Sequence, residues 1–375
     1  MNRRKIFRRA VSMLFVVSIM LFAAVTHAEI YTGKGSYVMS KVETLEVARE
    51  RAKADAMRNA SEQAFVYVKS YSRSRNFELE EDVIETMTAN ILKLVEKPIF
   101  KMLEEVDNLE GLMIRVSVKV EIDDSDINRW LNKDEQEKSA LVAQMEAMRI
   151  ENEEQARIID DLKRKLANNP QDTKQISQEI SDADKIFLSN QKVVEAWKLY
   201  DKGDYTGAIQ LHSEAIELNP NNALAYYGRA YAYDDLEDYQ RAIDDCTKAV
   251  QFNSPRLVDA YNNRGEAYRK SGIYAKAIED YNKAIELNPN YFKAYSNRGI
   301  AYRSLGNYDK AFADYNKAIK LNPNYEYAYN NRGWAYYCLK QYKKALKDFD
   351  KALELNPNFM IANNNREACL KAMGK

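Results

Sequence analysis

Side chains able to carry covalent or acid–base chemistry are few in this 375-residue sequence. Histidine occurs twice, at His27 and His212, and the three cysteines, Cys246, Cys338 and Cys369, all fall in the C-terminal half. Such a set leaves a Ser-His-Asp or Cys-His arrangement little to work with, and its spacing matches no zinc site. Three cysteines form no disulfide framework and read as small packing residues. Gly33 and Gly35 stand as an isolated pair, without the further residues of a phosphate-cradling loop. Asp123, Asp124 and Asp126 cluster and read as a solvated strand end rather than a metal site. No catalytic residue, metal or cofactor is expected. A carboxylate-dependent hydrolase in the N-terminal part is the alternative from another class, since any fold can bring two acids together.

Another chemistry recurs at a fixed interval. Asn263, Asn297, Asn331 and Asn365 are each separated by 34 residues. A carboxamide has donors and an acceptor, so it can pair with a peptide's N–H and C=O together. A column of them suits an extended backbone without reading its side chains. Asn262 and Asn330 stand beside the column, and Arg269, Arg303, Trp334 and Tyr337 follow one or more turns on. These ten residues are the candidate partner-binding set. The competing reading is that the asparagines merely tolerate exposed helical sites or bond to the neighbouring unit. The column is missing earlier in the chain, where Val194 and Gly228 hold the corresponding sites. Arg229, Arg264, Arg298, Arg332 and Arg366, with Asp245, Asp280, Asp314 and Asp348, recur at similar intervals and read as ion pairs between adjacent helices. A grip on a terminal carboxylate by Arg269, Lys270 and Arg303 is the minority view.

The elements that position these residues are internal repeats. Tyr205, Tyr239, Tyr274, Tyr308 and Tyr342 lie 34 or 35 residues apart. Ala208, Ala242, Ala277, Ala311 and Ala345 keep that spacing, as do Ala215, Ala249, Ala284, Ala318 and Ala352. Pro220, Pro289, Pro323 and Pro357 follow Asn and end a unit, and Gly265, Gly299 and Gly333 each follow Arg. Small residues let paired helices touch, aromatics fill the gaps, and proline stops the second helix. On this pattern residues 189–375 are identified as a tetratricopeptide repeat (TPR) region: five repeats and a capping helix from Met360. The resemblance implies an all-α superhelix whose first helices line a concave face, and the asparagine column is similar to the ladder of some TPR proteins. A protein or peptide ligand in that groove is the implied partner.

Ahead of the repeats, residues 29–131 read as a small α+β domain of order β-α-α-β-β. Ala48, Ala52, Ala56, Ala60 and Ala64 form a small-residue stripe on a helix from about Val42 to Ser70, and a second helix is expected from Glu80 to Glu96. Leu112, Ile114, Val116, Val118, Val120 and Ile122 alternate with polar or flexible residues, a strand with one buried face. The "TGKGSY" opening, the "ARERAKADAMRNA" helix and this strand resemble the N-terminal domain of flagellar assembly protein T and related exported or lipoprotein modules. Without a lipid-attachment cysteine the chain departs from the lipoprotein members.

Residues 132–168 carry a heptad seam, with Leu141, Met148, Gln155 and Leu162 alternating with Met145, Asn152, Ile159 and Leu166. The seam predicts a coiled coil and self-association into a homo-oligomer, with Asn152 setting register; a lone solvated helix is the alternative. Residues 169–188 are expected to be a linker.

The 56 basic and 56 acidic residues balance, but Arg3, Arg4, Lys5, Arg8 and Arg9 all precede the apolar run from Ala10 to Val25. That order, with Thr26-His27-Ala28 after it, predicts a signal peptide over residues 1–28. Its removal leaves the remainder acidic, so nucleic-acid binding is not expected. The expected location is the periplasm; the alternatives are an inner-membrane anchor formed by residues 10–25, its only link to a membrane, or secretion. The expected function is an envelope scaffold or adaptor, with a periplasmic coordinator of cell-wall synthesis or division as the rival within the binding class.

Overall fold

The computed structural model describes residues 28–39, 43–75, 77, 79–103, 112–133, 135–168 and 173–374. Residues 1–27 of the expected signal segment and the first residues of the expected linker lie outside them. Two compact units divide at residues 142 and 143.

In the first unit, strand β1 (Ala28–Met39) precedes helices α1 (Leu45–Ser74) and α2 (Glu81–Ile91). Strands β2 (Lys93–Leu94), β3 (Ile99–Leu103) and β4 (Leu112–Asp123) then lead into α3 (Asp124–Leu131). The long alternating strand is central: β4 pairs antiparallel with β1 on one side and with β2 and β3 on the other. Its Ile114, Val116, Val118, Val120 and Ile122 are buried beneath α1. Ala48, Ala52, Ala56, Ala60 and Ala64 are all fully buried, and the two glycines of β1 explain why. A Cβ on Gly33 would lie 1.9 Å from the Ala56 carbonyl oxygen, and one on Gly35 would lie 2.4 Å from the Ala52 carbonyl oxygen. Strand and helix thus meet backbone to backbone, glycine against alanine.

Two expectations for this unit need correction. The second helix ends at Ile91 rather than Glu96, because Lys93 and Leu94 are drawn onto the free edge of β4, pairing with Glu121 and Val120. The Asp123–Asp126 cluster is not a loose strand end. Asp123 caps α3, accepting from Ser125 N at 2.6 Å. Asp126 is buried against Lys93 and Arg129. Among the described residues no group of three His, Cys, Asp or Glu is placed to hold a metal ion.

Helix α4 (Glu135–Asn168) is followed by α5 (Thr173–Asp201), so the expected linker is helical from Thr173 onward. Its polar composition hid an apolar stripe, the buried Ile176, Ile180, Ala183 and Phe187, whose spacing marks one helix face. The heptad seam of α4 meets its own chain. Met148, Ile159 and Leu162 are buried, Met148 clusters with Val193, and Asn190 Nδ2 donates to Asn152 Oδ1 at 3.2 Å. These pairings advance along α4 as they retreat along α5, the pattern of an antiparallel hairpin. The side chain of Leu166 lies outside the described residues.

Helix pairs then follow with short turns: α6 (Tyr205–Leu218) after the end of α5, α7 (Ala223–Asp235) with α8 (Tyr239–Gln251), and α9 (Leu257–Lys270) with α10 (Tyr274–Leu287). Next come α11 (Phe292–Ser304) with α12 (Tyr308–Leu321), α13 (Glu326–Cys338) with α14 (Tyr342–Leu355), and the terminal α15 (Met360–Ala372). This is a superhelix of five pairs and a cap. The repeated glycines are sites of close approach: a Cβ at Gly299 would lie 2.6 Å from the Tyr315 ring. The turn between the helices of a pair uses a left-handed residue, Gly272 and Gly306 in two pairs but Glu237 and Lys340 in two others.

Candidate functional site

Successive first helices of the pairs approach one another more closely than successive second helices do. The stack therefore curves with its first helices inside, and their solvent-facing rows line the concave face.

The arginines of the repeats serve the stack. Arg229, Arg264, Arg298 and Arg332 each fork onto the carboxylate of Asp245, Asp280, Asp314 and Asp348, with every bond between 2.7 and 2.8 Å. Each carboxylate is buried on the second helix of the same pair. The remaining guanidinium nitrogen reaches the preceding second helix, at Ser213, Thr247, Asn282 and Asn316. Every arginine therefore ties its own pair together and to the one before, as the sequence pattern predicts. Arg366 on the terminal α15 holds Asp350 of the preceding second helix.

The asparagine column is more engaged than its spacing alone reveals. Asn297 Nδ2 donates to Asn262 Oδ1 at 3.1 Å, and Asn365 Nδ2 donates to Asn330 Oδ1 at 2.9 Å. Asn331 Nδ2 donates to Ser296 Oγ at 3.2 Å. Within repeats, Asn262 Nδ2 points to Asn263 Oδ1 and Asn330 Nδ2 to Asn331 Oδ1. The column is thus a hydrogen-bonded seam between consecutive first helices, and Ser296 is a member the spacing did not single out. Asn262 and Asn330 are buried, while Asn263, Asn297, Asn331 and Asn365 are half-buried. Among the described residues, Asn297 Oδ1 and Asn365 Oδ1 accept no hydrogen bond, while their Nδ2 atoms donate to the preceding repeat.

Beyond the column, toward the C-terminal ends of the first helices, the row changes character. Trp334 and Tyr337 stack with centroids 4.9 Å apart and planes at 19°; both are half-buried and rest on the core cluster of Ala345, Phe349 and Cys369. One and two repeats earlier the Tyr337 position is held by Arg303 and Arg269. Arg269 lies 3.5 Å from Glu266, whereas Arg303 has no carboxylate within ion-pair distance among the described residues. In the first two repeats the row is aromatic and acidic: Trp197, Tyr200 and Tyr231 pack edge to face or tilted, beside Asp234 and Asp235. That end is also occupied by the chain itself. Met148 of α4 packs among Val193, Val194, Trp197 and Leu224, and Gln144 Oε1 accepts from Arg256.

His212 is fully buried on the second helix of the first pair, edge-on to Trp197. Neither ring nitrogen has a partner, and burial, with Arg229 nearby, pushes its pKa down to about 3. It fills the space over Gly228, where a Cβ would lie 2.2 Å from Nε2. Cys246 and Cys369 are buried and Cys338 is exposed, all as free thiols.

The C-terminal half is thus an all-helical repeat scaffold with a concave, side-chain-lined face. The chain belongs to the tetratricopeptide repeat family through this half: the tetratricopeptide repeat profile matches residues 223–254, 258–291, 292–325 and 326–359, and a TPR repeat profile matches residues 198–236. Among curated relatives, stress-induced-phosphoprotein 1 of Caenorhabditis elegans is 29% identical over 86 residues, covering 22% of this chain and 27% of the relative. Serine/threonine-protein phosphatase 5 of Homo sapiens is 46% identical over 50 residues, covering 13% of this chain and 10% of the relative. The chain therefore spans about a quarter or less of these relatives. Among solved structures, that of MamA is 32% identical, covering 43% of this chain and 94% of that one, with a TM-score of 0.38. That of YrrB, described as a TPR protein with an unusual peptide-binding site, is 26% identical over 47% of this chain and 90% of that one, with a TM-score of 0.38.

Proposed function

We propose that this protein is an exported cell-envelope scaffold that holds an extended partner polypeptide on the first-helix face of repeats three to five and the cap helix. The observation that carries the reading is the stacked, half-buried Trp334–Tyr337 pair on the concave row. Aromatic side chains left half in solvent on an inner face are the usual anchors of a polypeptide interface. The half-engaged asparagines alongside can still meet a backbone amide. Repeats one and two serve a different end, because α4 packs over their face. Met148, Ile159 and Leu162 of the α4 seam are buried within the chain, while Met145 and Gln155 stay half-buried and are the seam residues through which self-association would proceed. Export rests on the basic-then-apolar N-terminal sequence.

The test is direct. Peptides selected from a random dodecapeptide display library on the full chain should lose at least tenfold in affinity on a Trp334→Ala, Tyr337→Ala double variant. Unchanged affinity, with the fold intact by circular dichroism, would refute the groove. Export is checked by N-terminal sequencing of the protein recovered from the periplasmic fraction, with Glu29 expected first; intact Met1 in the cytosol would refute it.

A further inference from the structure

The groove contains a cation site that the fold does not use. Most arginines of the repeats are neutralised inside the stack, as the four forked pairs with Asp245, Asp280, Asp314 and Asp348 show. Arg303 is different. It is half-buried, no carboxylate among the described residues lies within ion-pair distance, and its Nε is buried without an acceptor. The fully buried Tyr315 hydroxyl lies against the Arg303 guanidinium, which interacts with it as a donor. The arrangement repeats one unit earlier, where the buried Tyr281 hydroxyl lies against Arg269. Burial pushes the Tyr315 pKa up to about 12, opposed by the charge of Arg303 and, more weakly, of Arg269. Both guanidinium groups therefore act on one phenol. Glu266 lies 3.5 Å from Arg269 and 3.6 Å from Lys270, which also holds Asp234 at 2.6 Å, so among these described residues Arg269, Lys270 and Arg303 outnumber the two carboxylates.

The outer guanidinium nitrogens of Arg303 have no carboxylate partner among the described residues, and guanidinium forks match carboxylates in a bidentate geometry. The next position along the same row is the Trp334–Tyr337 stack. Packed helices lie about 10 Å apart, and an extended chain advances about 3.3 Å per residue, so one repeat corresponds to about three ligand residues. We infer that repeats three to five select an extended polypeptide with an aspartate or glutamate side chain seated between Arg269 and Arg303, and a bulky apolar residue about three positions away on Trp334 and Tyr337. This rests on the groove reading above and adds its specificity. The site lies at the far ends of the first helices from the asparagine seam, so it reads a side chain while the seam meets the backbone.

The experiment again uses the full chain and selected dodecapeptides. Binders should be enriched in an acidic residue about three positions from an aromatic or large aliphatic one. For one such synthetic peptide, Arg303→Gln should weaken binding about tenfold or more, and Glu→Gln (or Asp→Asn) in the peptide should do the same. The two changes together should cost little more than either alone, which identifies the contact as a pair. Raising salt should weaken the parent complex and leave the Arg303→Gln complex nearly unaffected. Arg303 has no carboxylate partner among the described residues, so the variant's melting temperature serves as the folding control. Binders that lose affinity with Trp334→Ala but are indifferent to Arg303→Gln and to loss of their own acid would overturn the anion site and leave the groove standing. A selection that yields no binders, or binders indifferent to both Trp334 and Arg303, would overturn the groove and the inference together.

Discussion

Removing the guanidinium of Arg298 tests whether the repeats are held by buried ion pairs. Its side chain is 18% exposed and that of Asp314 is 8% exposed, joined by two bonds of 2.8 and 2.7 Å. A third bond of 2.6 Å reaches Asn282 on the preceding second helix, and the guanidinium also lies over the Tyr295 ring at 5.4 Å. Arg298→Ala leaves a buried carboxylate uncompensated, which costs about 3–5 kcal/mol. Asp314→Asn keeps a neutral acceptor for the arginine and should cost about 1–3 kcal/mol. A double Leu replacement at both positions removes the stranded charge, and should be less destabilising than Arg298→Ala alone. Arg366 is the internal control: its partner is Asp350, and the two side chains are 38% and 57% exposed. Exposed pairs contribute about 0–1 kcal/mol, so Arg366→Ala should be nearly silent. Denaturant unfolding of the full chain, followed by circular dichroism, reads all four variants. If Arg298→Ala falls within about 1 kcal/mol of Arg366→Ala, burial is not what gives these pairs their strength, and the stapling account fails.

Three further outcomes are expected. The buried His212 is neutral in the fold, with a pKa lowered to about 3, and titrates near 6.5 when unfolded. A depressed histidine pKa means the unfolded state takes up the proton first, so stability is retained above about pH 6.5 and lost as pH falls toward 3. At pH 5 this amounts to about 2 kcal/mol. Melting curves of His212→Leu against the parent should show that difference shrink as pH is lowered, and a pH-independent difference would refute it. Glu237 adopts φ 60° at a turn where Gly272 and Gly306 stand at φ 77°; Glu237→Gly should raise stability by about 0.5–1 kcal/mol by relieving left-handed strain, and a lowered melting temperature would count against it. Gly33→Ala places a methyl 1.9 Å from the Ala56 carbonyl oxygen, so α1 must lift from the sheet. Loss of the first unit's cooperative melting is expected, and a parent-like transition would refute the packing.

The repeat architecture is legible because its marks are local and repeated: alanines at fixed offsets, glycine after arginine, proline after asparagine. The Arg–Asp pairing is legible for the same reason, since residues sixteen apart on one helical pair recur four times. The asparagine column shows why a site is harder to read than a fold. Its spacing reveals that Asn297 and Asn331 share a face, but not that each amide already donates to the preceding repeat. Alanine at both positions should therefore lower thermal stability measurably, where a solely ligand-facing column would not. The seam of α4 was legible as a seam, yet whether its partner is another copy or α5 depends on a chain reversal after Asn168, and a heptad pattern carries no information about reversal. Gly33 and Gly35 likewise gain meaning only when the sheet brings them onto Ala52 and Ala56. Arg303 was singled out by position; its lack of a counter-charge is visible only once the neighbouring helices are in place.

The arginine that ties each pair to the one before gives the solenoid a mechanical direction. At the N-terminal end, α4 braces the first pairs through Met148, Gln144 and Asn152. At the other end, Arg366 holds one exposed aspartate in place of the buried fork of the earlier repeats. Under tension applied at both ends, the array should unravel from α15 backward, one pair at a time. The braced end would yield last, so a load pulling on the C-terminus would open repeats three to five while the first two still hold.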